Sequence, residues 1–176
     1  MTATELEPCP GCGARLSKSS GPTHRYIGAS AACWELFSAL ANAGEPPVAP
    51  DPFNALLLDA YAVQHPGTPS AQAIQSVAVH LLALYGVLVK GVAFDQVLWI
   101  RQRALDERRQ TKRGRFAWLS PPELTGHLTV IDIVKAPTPA ARSEQVKRLV
   151  EWVWSVWAQA HGSTIAGWYE AFVAPA

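Results

Sequence analysis

Beyond residue 30, apolar residues recur at intervals of three and four, the spacing that lines one face of a helix. Ser30 is placed to cap a helix over about 31–43, which Gly44 and the proline-rich EPPVAPDP bring to an end. Asp51 with Pro52 opens a second helix reaching about His65, where Pro66 and Gly67 stop it. Ser70 caps a long third helix through about Val89, the most apolar of the set, with Gly91 at its end. A fourth is expected over about 93–110, decaying into a basic stretch and a loop, and Thr129 caps a short one through about Lys135. The final stretch, AARSEQVKRLVEWVWSVWAQAH, carries one apolar stripe, and Gly162 is expected to separate it from a second helical piece, STIAGWYEAF.

Residues 1–30 break this pattern. They are rich in Gly, Pro, Ser and Cys, show no helical period, and suit a module organised by something other than a core. No segment of the chain alternates with period two for more than a few residues. The expected class is mainly α, a helical bundle over 35–176 with a small irregular Cys-rich zinc-knuckle module over 1–34 packed on it, together one compact domain.

Composition narrows the function. At 176 residues, 49% apolar and only 16% charged, the chain can build a substantial core. Its seven Trp are expected inside or around a pocket. A net charge of +1 gives no general field for nucleic acid. The one basic segment, from Arg101 to Arg115 with Arg108 and Arg109 at its centre, has aromatic residues only at its flanks, so a solvated helix end is favoured over a nucleic-acid surface. The apolar run VAVHLLALYGVLV, interrupted by His80, is shorter than the roughly 20 residues a membrane helix needs. With an N-terminus lacking a basic and then apolar leader, this reads as a cytoplasmic protein without a membrane partner. No P-loop, dinucleotide fingerprint, HExxH or nucleophile elbow is present.

The chemistry lies in cysteine and histidine. CPGCG at 9–13 can form a knuckle that turns both sulfurs toward one cation, and Cys33 in the first turn of the next helix supplies a third thiolate near a positive helix end. Three soft thiolates select zinc. The nearest fourth ligand is His24, in GPTHRY; His80 or His65, reaching in from the bundle, is the alternative. A pure turn would not require cysteine at both flanks.

His80 sits in the most apolar helix with Gln72, Gln75 and Ser76 along one stripe, and Tyr61 shares a face with His65 one turn later. Such a stripe is costly to bury unless its groups are satisfied. One reading is therefore a small-molecule pocket lined by His65, His80, Gln72, Gln75, Ser76 and Tyr61, with His65 and His80 or a metal-bound water as the acid and base. The other is a purely structural zinc in an interaction or regulatory protein.

CPGCGARL, GPTHRYIGASAACW, DAYAVQHPG, IQSVAVHL, LTVIDI and WVWSVWAQAH together resemble an uncharacterised bacterial family of small Cys/His proteins, a domain of unknown function. The resemblance implies a metal binder whose motif positions are Cys9, Cys12, His24, Cys33, His65 and His80. The connector ANAGEPPVAPDP departs from the longer acidic helix associated with that family. A weaker similarity, in style and without a shared motif, is to DinB-like helical bundles that hold a metal between histidines.

Overall fold

The computed structural model describes residues 6–106 and 115–174. Six α-helices carry the fold among these residues: α1 Ala31–Ser38, α2 Leu57–Gln64, α3 Ala71–Leu88, α4 Val97–Ala104, α5 Val130–Lys135 and α6 Pro139–Trp168. Each start has a local cause. The hydroxyl of Ser30 accepts from the Cys33 amide, that of Ser70 from the Ala73 amide, and that of Thr138 from the Ala141 amide ahead of Pro139. Thr129 and Asp132 form a reciprocal capping box on α5. A π-helical turn, Ala39–Ala43, prolongs α1 until Gly44 turns left-handed, and a 3-10 turn, Pro52–Leu56, capped by Asp51, leads into α2.

The bundle is built around α2 and α3, which pack on each other and together against α6; α4 covers α3, and α5 lies between α1 and α6. Leu56, Leu81, Leu82, Ile100, Ile133, Leu149 and Trp157 are fully buried at its centre. Gly86 lets α3, α4 and the C-terminal turn close tightly, since a Cβ there would lie 2.5 Å from the Ile100 Cδ1 and 3.0 Å from the Tyr169 ring. α3 is long and apolar enough to cross a membrane by length and composition alone, and 56% of it is buried by its neighbours.

Three expectations change. The break at Gly162 is absent: α6 runs 30 residues straight through it. A glycine in a helix interior costs only about 1 kcal/mol, and the stripe Val153, Trp157, Ile165, Tyr169 stays buried across it, so packing overrides propensity. The irregular module contains a hairpin, β1 Leu6–Pro8 paired antiparallel with β2 Arg15–Ser17 in the register Glu7 to Leu16. Strands of three residues are too short to show alternation. Of the seven Trp, Trp157 alone is fully buried, in the core rather than around a pocket. The outer end of the expected fourth helix, with Arg108 and Arg109, lies outside the described residues.

Candidate metal centre

The β1–β2 hairpin exists to present a knuckle. Its connecting residues are closed by the Cys9 amide donating to the Ala14 carbonyl and the Gly13 amide to the Cys9 carbonyl, both at 2.8 Å, with Gly13 in the left-handed region. Cys9 and Cys12 thereby turn inward, 2% and 0% exposed. Cys33, in the first turn of α1, brings a third buried sulfur, 3.9 Å from that of Cys12. None of the three cysteines is in a disulfide.

The fourth donor is His65, the residue that ends α2. Its Nε2 lies 3.5 Å from the Cys33 Sγ, and the four donor atoms all fall within 4.8 Å of one another. Its Nδ1 faces the Tyr61 carbonyl at 2.7 Å. A carbonyl can only accept, so Nδ1 carries a proton, and Nε2 is the nitrogen that an ion held by the cluster would take, displacing its proton. A tetrahedral ion with sulfur at about 2.3 Å and nitrogen at about 2.0–2.1 Å sets sulfurs about 3.8 Å apart and sulfur from nitrogen about 3.5 Å. The Cys12 to Cys33 and Cys33 to His65 separations, 3.9 and 3.5 Å, fit that geometry, and the donors are of the soft type that suits zinc.

The surroundings hold the ligands in place. The Ser30 amide donates to the Cys9 Sγ at 3.3 Å, and the Tyr61 hydroxyl to the Cys33 Sγ at 3.4 Å. The Gly28 amide donates to the His65 carbonyl, and the Gly126 amide to the Cys12 carbonyl. The buried Trp157 indole donates to the Val63 carbonyl in the last turn of α2. Gly28 and Gly67 nearly touch, since a Cβ on Gly28 would fall 2.6 Å from the Gly67 Cα, so the turn after His65 is locked to the loop before α1.

Charge inside the cluster is shared. Hydrogen bonds from Cys12 and Cys33 hold the Cys9 thiol far below its ordinary value, whereas Cys12, Cys9 and burial push the Cys33 thiol up. These opposite shifts belong to one coupled group rather than to either residue. Burial pulls His65 down, but hydrogen bonding to Cys12 and Cys9 outweighs it and raises its pKa to about 9. Burial, then the nearby Cys33, pushes Tyr61 well above the phenol range, so it remains a donor. A divalent cation would replace the cluster's protons.

The other expected residues lie elsewhere. His24 lies outside the group of four donors: its ring packs edge-on against Tyr26 and tilted on Trp34, while His65 takes the place beside the sulfurs. The His24 Nδ1 is buried without a partner among the described residues. His65, 1% exposed, has its Nε2 directed at the sulfurs, where it could serve as a metal ligand. His80 is outside the metal group as well; its Nδ1 lies 2.7 Å from the buried Asp59 carboxylate, which Arg101 also grips through Nε at 2.9 Å and Nη2 at 2.5 Å. Sequence reasoning missed Asp59 and Arg101, although a single acid within the apolar LLLDAYAV was a signal.

A cleft of about 500 Å³ opens beside the metal centre, walled by residues 25–28, by the turn after α2 and by residues 121–125, with Pro10 and Gly11 of the knuckle at one side. Gln72, Gln75, Ser76, Tyr61 and His80 do not line it: Gln72 is exposed, Gln75 and Ser76 are half-buried on α3, and Tyr61 is sealed under Cys33.

No curated protein and no solved structure matches the chain. Residues 7–160, which include all four members of the cluster, match a family described as a family of unknown function, DUF5946, and the chain belongs to that family.

Proposed function

We propose that Cys9, Cys12, Cys33 and His65 hold a structural zinc ion that clips the N-terminal hairpin to the bundle, and that the cleft formed along this junction is a small-molecule binding site. The observation that carries this reading is the number and burial of the donors. Four protein donors, none more than 2% exposed, are the number that fills a tetrahedral ion and leaves no position for water or substrate. A catalytic zinc keeps such a position, so the structural role is favoured over the enzymatic one. His65 ties the clip to the core, since it comes from α2 while the cysteines come from the hairpin and α1. The knuckle and the turn after His65 also form part of the cleft, so the metal fixes its shape.

Zinc content of the purified chain and three variants tests this. The native protein and His24→Ala are expected to retain equimolar zinc, and His65→Ala to lose it, with His65→Cys restoring retention through a fourth thiolate. Loss of zinc from His24→Ala, or undiminished retention by His65→Ala, would overturn the assignment.

A further inference from the structure

The cleft beside the metal centre presents two opposite charges that do not neutralise each other. Arg25 stands in one wall and Glu123 in another, and neither is ion-paired among the described residues. Glu123 is oriented by Thr125, whose amide and hydroxyl both donate to its Oε1, which leaves Oε2 for another donor. Gln64, fully buried, also contributes to the wall. Its Nε2 donates to the Leu128 carbonyl at 2.7 Å, which fixes the amide's orientation, since a carbonyl only accepts. Among the described residues no donor reaches its buried Oε1, a state that costs free energy until an N–H or O–H does. Ile27, Leu124 and the prolines add apolar surface to the lining, beside the hydroxyls of Thr68 and Ser70.

A ligand matched to these walls carries a carboxylate, a cationic amine and an apolar body. A guanidinium recognises a carboxylate through paired hydrogen bonds, and a free carboxylate oxygen takes an ammonium. The volume is within the range of small-molecule sites, roughly 300–1,000 Å³. We propose that the cleft binds a small apolar zwitterion, a free α-amino acid or a dipeptide, with its carboxylate on Arg25 and its ammonium on Glu123. This rests on the reading of the cleft as a small-molecule site, and it adds the class of ligand.

The test is amide chemical-shift titration of the zinc-loaded full chain with L-leucine and with L-leucyl-L-leucine, alongside N-acetyl-L-leucine and L-leucinamide. Saturable shifts are expected at Gly11, Gly28 and Gly67 with at least one of the first two probes, and the tighter of them tells the free amino acid from the dipeptide. Capping either terminus, or the substitutions Arg25→Gln and Glu123→Gln, is expected to weaken binding at least about tenfold, the loss of one charge-assisted contact. Absence of saturable shifts with both probes up to about 10 mM, well beyond the weakest useful affinity, would overturn the proposal. So would equal binding of the capped compounds, or undiminished binding by both variants. Zinc content of each sample, measured in parallel, tests the metal assignment separately.

Discussion

Gly11 lies flat against the imidazole of His65: a Cβ built on it would fall 2.4 Å from the ring's Cδ2 and 3.0 Å from the His65 Cα. The glycine of the knuckle is therefore required by the ligand it faces, a residue 54 positions later in the chain, and not by the turn's own backbone angles. Gly11→Ala has to push the ring out of the cluster or the knuckle off the bundle. The expected cost is about 1–3 kcal/mol, typical of an overpacked site, read as a lower thermal midpoint together with faster zinc loss to a chelator. Gly162→Ala, where a methyl group meets nothing within 4 Å, serves as a control and is expected to be neutral or slightly stabilising.

Asp59 is expected to matter for stability and not for metal. Its buried carboxylate accepts from both Arg101 and His80, so Asp59→Ala leaves two donors facing an empty site. Breaking a buried ion pair from one side costs about 3–5 kcal/mol. Chemical denaturation is expected to show a loss of that order, with equimolar zinc retained by the fraction that folds. Selective loss of zinc at unchanged stability would contradict the separation of the two sites.

The pH dependence should differ with and without metal. In the metal-free fold His65 titrates at about 9 rather than 6.5, so on its own it stabilises fully below 6.5 and loses that contribution as pH rises through 9. Cys9 is shifted the other way, below its ordinary 9.0, and its contribution grows with pH up to that value. Between 6.5 and 9 the folded chain holds an imidazolium and a thiolate where the unfolded chain holds a neutral imidazole and a thiol. The proton counts are equal, and the two slopes cancel. The metal-free melting temperature is expected to be nearly flat over this window. With zinc bound, the thiol protons are absent from the folded state only, so the melting temperature is expected to climb with pH. Parallel slopes in calorimetry at pH 6.5, 7.5 and 8.5 would contradict the coupling of cluster and fold.

Local chemistry made most of the fold legible. Ser30, Asp51, Ser70, Thr129 and Thr138 each stand at the start of a helical segment, and Gly44 and Gly91 each follow the end of one. The three cysteines announced themselves by spacing and by the helix start at Ser30. The histidine did not. His24 is nearest in sequence, but a ligand is chosen by where α2 ends relative to the knuckle, and that is set by long-range contacts such as Trp157 to Val63 and Gly28 to His65. The cleft was hidden for the same reason, since its walls come from stretches around residues 10, 25, 66 and 123 that share no local pattern. The stripe of Gln72, Gln75 and Ser76 was visible in the sequence, but the partner that satisfies His80 is Asp59 on the neighbouring helix.

The most direct test of the central claim is X-ray absorption at the zinc edge of the purified protein. A closed Cys3His site predicts three sulfur scatterers at about 2.3 Å and one nitrogen at about 2.0–2.1 Å, with no further light atom in the first shell. His65→Cys, which keeps zinc through a fourth thiolate, should show four sulfur scatterers and no nitrogen, while His24→Ala should leave the spectrum unchanged. A fifth, solvent-derived light atom bound in the native protein, or a spectrum altered by His24→Ala and indifferent to His65→Cys, would contradict the account.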